Sequence, residues 1–150
     1  IGVSKQVGGQ ISIDLSDYQK TEIGEIQINA RAFATDNEFR NRAVKNRILL
    51  TDQFEFITFK PTAVSGLPAA VELGQPFKFE ISGDLTIIGQ TKPVTFQAEV
   101  TAVSENEISG YASASVLYKD FGIFIPEVPS VTGVDDDVLL EIQFTAVALP

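Results

Sequence analysis

The sequence predicts an all-β protein, for three reasons. Apolar and polar residues alternate over most of its length, turn residues separate the alternating segments, and only one segment has helical spacing. Apolar residues at every second position are typical of strands with one buried face. A chain of 150 residues has the usual length of one domain, so we predict a single domain over 1–150.

Five segments show the alternation most clearly: 11–15, 26–30, 77–81, 94–100 and 140–146. Connections rich in Gly, Pro, Asn and Asp lie between the strands, at 65–68, 74–76, 89–93, 104–107 and 133–137. Short connections favour antiparallel neighbours. Because exposed sheet edges invite aggregation, so many amphipathic strands are expected to close into a barrel or to pair as two sheets.

One segment departs from the strand pattern. Thr35 and Glu38 have the spacing of a capping box, in which Thr35 accepts a hydrogen bond from the backbone of Glu38 and Glu38 bonds back. Phe39, Ala43 and Ile48 follow at helical spacing. We therefore predict one short helix over about 36–47. It carries four of the chain's 11 basic residues, namely Arg40, Arg42, Lys45 and Arg47.

Composition excludes several classes of function. A net charge of −9 argues against nucleic acid as a partner, because phosphate binding needs surplus Lys and Arg. The chain has no His and no Cys, which removes the commonest general base and the thiolate metal sites. No Ser or Thr lies beside a plausible base, so we predict no catalytic residues, no enzyme activity and no cofactor. Asp135, Asp136 and Asp137 are interpreted as a turn rather than a metal site.

The segment 81–96 reads Ile-Ser-Gly-Asp-Leu-Thr-Ile-Ile-Gly-Gln-Thr-Lys-Pro-Val-Thr-Phe. It resembles the hairpin of the YceI-like family, in which Gly-Asp-Leu-Thr leads through a Gly-x-Thr-x-Pro-Val turn into the next strand. Segments 33–41, 56–68 and 119–123 agree with the family in order and spacing. Many members have Asp at the position of Asn41, and the resemblance implies one or two further strands ahead of Ile1, where a signal peptide or an anchor is also expected.

The resemblance implies an antiparallel, extended, lipocalin-like β-barrel with a pore for polyisoprenoids or other long amphiphiles. It also implies an extracytoplasmic location, whether periplasmic, secreted or at the cell surface. We accordingly expect binding, storage or transport of a long-chain apolar lipid, such as a polyisoprenoid, an isoprenoid quinone or a fatty-acid-like amphiphile. The alternative is a packed barrel that serves as an accessory or structural subunit of an extracytoplasmic assembly, as a homodimer or with another partner.

The inward faces of the alternating segments define the candidate lining, which is apolar and suited to a lipid tail. Small barrels are often filled by such side chains, whereas the resemblance favours an open interior. The predicted lining residues are Ile26, Ile28, Phe56, Phe59, Phe79, Ile81, Val94, Phe96, Phe121, Ile123, Ile142 and Phe144.

The basic residues of the helix form a second candidate site. Arg40, Arg42, Lys45 and Arg47 suit an anionic lipid headgroup or an anionic membrane surface. The alternative is that these charges solvate the outer face of an amphipathic helix.

Overall fold

The structure, a computed structural model, describes residues 1–126 and 136–149. One α-helix, α1 (Glu38–Ala43), continues through a π-helical turn at Val44–Ile48. Nine strands form within the described residues: β1 (Val7–Gly8), β2 (Ile11–Ser12), β3 (Glu22–Ile23), β4 (Ile26–Asn29), β5 (Phe56–Ser65), β6 (Phe77–Ile87), β7 (Gln90–Ser104), β8 (Glu107–Leu117) and β9 (Asp137–Val147).

Seven strands form one antiparallel sheet in the order β1-β4-β5-β6-β7-β8-β9, and β2 pairs with β3 separately. The sheet curls into a half-barrel with one concave face. A two-residue turn joins β6 to β7, with left-handed backbone at Ile88 (φ 51°) and Gly89 (φ 69°), as in a type I′ hairpin. The predicted all-β antiparallel class with one short helix is therefore confirmed.

The two edges of the sheet do not pair with each other in the described part of the chain, so the barrel is not closed there. Six successive antiparallel pairings separate β1 from β9, and these two edge strands consequently run in the same direction. A direct β1–β9 pairing would have to be parallel. An all-antiparallel closure needs one further strand between them.

The helix lies where the sequence predicts it, but its cap is different. Asn37 is the N-cap, because its side-chain oxygen accepts hydrogen bonds from the backbone N–H of Phe39 (2.9 Å) and Arg40 (3.1 Å). The predicted capping box between Thr35 and Glu38 is wrong. The Thr35 hydroxyl instead lies 2.7 Å from Oδ1 of Asn41, a residue that the helix buries.

A hydrophobic cluster fills the centre of the concave face. Phe59 on β5, Leu85 on β6 and Phe96 on β7 are the most buried of its large strand side chains. Phe121, from the 3₁₀ turn Tyr118–Phe121, is buried against them. Full burial of each such side chain contributes about 1.5–3 kcal/mol, so this cluster is the main source of the sheet's stability.

Antiparallel connectivity places three connections at the same end of the half-barrel. These are residues 30–55, which include α1, the Ile88-Gly89 turn, and residues 118–123; we call this the helix end. Leu49, Ile88 and Ile123 pack against the central cluster there. Their packing covers the helix end of the concave face.

Candidate functional site

Most of the predicted lining residues share the concave face. The cross-strand register aligns Ile26 with Phe59, and it aligns Ile81 with Phe96. Direct partners lie on the same side of a sheet. The predicted residues that occupy concave positions on the strands are Ile26, Ile28, Phe59, Phe79, Ile81, Val94, Phe96, Ile142 and Phe144. That they bind a ligand stays a prediction.

Phe56 is not part of this face, and its predicted place in the lining is wrong. It pairs with Asn29 on the outer face of the sheet and is 46% exposed. Three positions separate Phe56 from Phe59, and side chains alternate along a strand, so the two rings point to opposite faces. Ile57 takes the concave position instead, opposite Ile28.

The turn after β8 adds the last two predicted residues. Phe121 is 1% exposed, and Ile123 packs against the same cluster. Gly122 closes the turn in the left-handed conformation, with φ 65°. From the same turn, Lys119 forms an ion pair with Asp136 at 3.1 Å. That hydrogen bond and the charge of Asp136 raise the pKa of Lys119 above its ordinary value.

The sequence reasoning missed several residues of the concave face. Continuing the period of two along β5 to β9 would have identified them, because the alternation does not stop at the residues that were chosen. The missed positions include Ile57, Leu85, Ile87, Ala98, Val100, Ala112, Ala114 and Leu140. Leu49 and Ile88 carry no such signal, since they reach the cluster from connections.

Two glycines shape the concave face. A Cβ at Gly83 on β6 would lie 2.8 Å from the ring of Phe59 and 2.5 Å from the carbonyl oxygen of Lys60. A Cβ at Gly110 on β8 would collide with the ring of Phe144. Each Phe ring therefore occupies the space above a glycine of the neighbouring strand, where a side chain would otherwise stand.

The concave side of β9 remains accessible. Five apolar residues occupy it, and all are only partly buried: Val138, Leu140, Ile142, Phe144 and Ala146. Eight residue steps separate the first from the last, which is about 27 Å of strand. We call these five residues the β9 strip. The chain exposes 10024 Å², whereas a compact monomer of its mass exposes about 7,500 Å².

Two cavities border the sheet. One, of about 560 Å³, lies on its outer side beside β1 and β4, where Gln6, Gln27 and Phe56 contribute to its wall. The other, of about 260 Å³, lies between β7 and β8 next to Phe121.

The predicted basic residues lie on the helix end, and one of them, Arg40, is neutralised by an ion pair. Arg40 forms a 2.7 Å ion pair with Asp36. Arg42 stands over the ring of Phe39 at 5.6 Å, and this ring is 79% exposed. Lys45 and Arg47 follow in the π-helical turn, and the described residues place no carboxylate within 4 Å of them.

Asp135 lies outside the described residues, so the predicted three-residue Asp turn is seen only at Asp136 and Asp137, the latter the first residue of β9. Over residues 1–126 and 136–149, no three His, Cys, Asp or Glu side chains are grouped to hold a metal ion. Within the same ranges, no helix has the length and hydropathy needed to cross a membrane.

With this geometry in place, comparison with known proteins assigns the family. The YceI-like domain family matches residues 1–146. The chain belongs to the YceI-like family. A UPF0312 protein of Shewanella denitrificans is 27% identical over 146 residues, covering 94% of this chain and 73% of the relative. The YceI-like resemblance of segment 81–96 is thereby confirmed.

Solved structures show the same fold. The YceI protein of Campylobacter jejuni superimposes with a TM-score of 0.79 at 18% identity, covering all of this chain and 85% of that protein. A polyisoprenoid binding domain from Saccharophagus degradans, implicated in plant cell wall breakdown, superimposes with a TM-score of 0.75 at 14% identity, covering 99% of this chain and 85% of that domain. At these identities the likeness shows the fold, and the lipocalin-like architecture is confirmed.

Proposed function

We propose that this YceI-like chain binds a long-chain apolar lipid of the isoprenoid class along the concave face of its half-barrel. The observation that carries the proposal is the continuity of apolar side chains across all seven strands of one face. Family membership and the fold shared with a polyisoprenoid binding domain support it.

The β9 strip is the part of this face available to a tail. Its five side chains are partly exposed, whereas Phe59, Leu85 and Phe96 are already covered by protein. Each methylene removed from water contributes about 0.8 kcal/mol, so a long tail gains affinity from apolar contact alone. Such contacts discriminate tail length more than the identity of the lipid.

The packed central cluster supports a second candidate, an accessory or structural subunit. Phe59 and Phe121 are each 1% exposed, so the middle of the concave face is filled in the manner of a protein core. In this alternative the β9 strip is covered by a partner protein rather than by a lipid. The two proposals differ in whether a lipid binds at all.

Adjacent leucines on β9 provide a matched experiment. Leu140 lies in the β9 strip, whereas Leu139 lies on the outer face and is 61% exposed. Titration of the purified protein with a fluorescent prenyl probe is expected to show that Leu140→Gln weakens binding about tenfold, the effect of about 1.4 kcal/mol. Leu139→Gln is expected to leave binding unchanged. Equal affinities of both variants, with far-ultraviolet circular dichroism showing both folded, would contradict the proposal.

We also propose that the helix end contacts anionic membranes while the lipid is exchanged. The exposed ring of Phe39 lies beside Arg42, and Lys45 and Arg47 follow on the next turn. Among the described residues these three cations have no carboxylate within 4 Å, so the surface combines an apolar group with free positive charge. Each basic residue near an anionic surface contributes about 1 kcal/mol. Arg42→Glu with Arg47→Glu is expected to reduce sedimentation with phosphatidylserine vesicles at low salt, whereas Lys60→Glu, on the outer face of β5, is the control. Equal sedimentation of both variants would exclude the helix end as the membrane-contacting surface.

A further inference from the structure

Two polar residues interrupt the apolar concave face. Outside the bulge between Pro61 and Ala63, every concave position of the seven described strands is apolar or glycine except Gln90 and Lys92. Both lie at the start of β7, where the register places Gln90 opposite Ile87 and Lys92 opposite Leu85. Lys92 is therefore the single cation of the described concave face.

The sheet is split beside Lys92. The β7–β8 ladder begins at Gln97 and Ser113, so residues 92–96 and 114–117 lie on neighbouring strands without pairing with each other. Between them lies the 260 Å³ cavity, which Phe121 closes on one side. Backbone N–H and C=O groups that lose their ladder partner must find water or a ligand. The gap is thus a polar opening in an apolar wall.

The charges around the gap favour an anion on the β7 side. Lys92 lines the cavity, is exposed, and has no carboxylate within 4 Å among the described residues. Asp120 also lines the cavity and would repel an anion. An anionic group is consequently expected near Lys92 and away from the turn that carries Asp120.

We propose that Lys92 binds the anionic headgroup of an amphiphile whose tail lies on the concave face. This inference rests on the proposed lipid-binding function and narrows its ligand to a lipid with a phosphate-type head. A charged head is costly to bury in an apolar site, so it must sit where water or a countercharge meets the wall. The gap adjoins the β9 strip, because Val116 lines the gap and is paired with Val138, the first residue of the strip. A tail can therefore run from the gap along β9.

The test compares a prenyl alcohol with its monophosphate of the same chain length. Isothermal titration of the wild-type protein is expected to show about tenfold tighter binding of the monophosphate, as for a charge-assisted hydrogen bond. Lys92→Gln is expected to reduce that preference to less than about threefold, mainly by weakening the binding of the monophosphate. Lys60→Gln, an exposed lysine on the outer face of β5, is the matched control and keeps the full preference. Asp120→Asn is expected to strengthen binding of the monophosphate.

The possible failures are distinguishable. If the wild type binds alcohol and monophosphate equally, or if Lys92→Gln keeps the preference, the headgroup site is wrong while lipid binding stands. If inorganic phosphate alone binds as tightly as the prenyl monophosphate, the gap is a free-anion site and the proposal is overturned. If neither prenyl compound binds, the proposed lipid function fails and this inference fails with it.

Discussion

The rings of Phe59 and Phe96 meet edge to face, with centroids 4.9 Å apart and an interplanar angle of 67°. Phe59 is on β5 and Phe96 on β7, so the contact passes over the intervening strand β6. Gly83 of β6 lies beneath the ring of Phe59. The absence of a side chain there lets the two rings approach across the strand, and this contact forms the middle of the packed cluster.

Truncating either ring is expected to be severely destabilising. Phe59→Ala and Phe96→Ala should each lower the free energy of unfolding by about 3–5 kcal/mol, because each leaves a cavity in a packed core. The double variant should show a coupling of about 0.5–1.5 kcal/mol from the edge-to-face contact. Urea denaturation measures all three values. Phe56→Ala, on the outer face, is the control and should cost less than about 1 kcal/mol; a loss there equal to that of Phe59→Ala would contradict the assigned faces.

Gly83 is predicted to tolerate no side chain. Gly83→Ala would place a methyl group within 2.8 Å of both the Phe59 ring and the Cα of Pro61, and one of these contacts is backbone that cannot move freely. We expect a loss of about 1–3 kcal/mol from overpacking, measured by the midpoint of thermal unfolding. Gly8→Ala is the matched control, since no atom lies within 4 Å of its Cβ position. Equal melting temperatures for the two variants would show that β6 is not constrained at Gly83.

Asn41 is predicted to tie the helix to the connection that precedes it. Its Oδ1 accepts from both the backbone N–H (2.6 Å) and the hydroxyl of Thr35 (2.7 Å), and the residue is 6% exposed. Asn41→Ala leaves the backbone N–H of Thr35 without its acceptor and should cost about 1–3 kcal/mol, whereas the hydroxyl can still donate to the carbonyl oxygen of Asn37. Asn41→Asp keeps the accepting oxygens and should cost less, despite Glu38 nearby. The exposed Asn46→Ala is the control. Equal losses in Asn41→Ala and Asn41→Asp would exclude the accepting oxygen as the cause.

The ion pair between Lys119 and Asp136 gives a prediction on pH. Because Asp136 stabilises the ammonium form, the pKa of Lys119 is raised above its model-peptide value of 10.5. The pair's contribution is therefore present at neutral pH, where both groups are charged, and is lost as the pH rises through the folded-state pKa of Lys119. Asp136→Asn should lower the pKa of Lys119, measured by NMR titration of its side-chain carbons. The same titration curve in both proteins would mean that the contact does not persist in solution.

The sequence predicted those elements whose physical cause is local. Alternation identified β6, β7 and β9, because each strand has one buried and one solvated face. The helix was predicted in the right place, but its cap was assigned to Thr35. Thr35 and Asn37 are both potential caps, and only the side-chain hydrogen bond between Thr35 and Asn41 distinguishes them. Phe56 was wrongly assigned to the lining because it is aromatic. Its position in the alternation, three residues before Phe59, places it on the outer face.

Long-range features had no local signal. The alternation of residues 92–96 continues without interruption, although their pairing with β8 stops, so the gap beside Lys92 appears only when the register of both strands is known. The open edges at β1 and β9 likewise depend on the order of strands and not on their composition. Leu49 and Ile88 join the cluster from connections, where no periodicity marks burial.

Native mass spectrometry of the purified protein, followed by solvent extraction, tests the central claim most directly. If the concave face holds an isoprenoid-type lipid, the protein is expected to carry an additional mass that organic solvent releases, and the stripped protein should rebind a long-chain prenyl compound. A protein that shows only its polypeptide mass and does not bind the prenyl compound on titration would contradict the account.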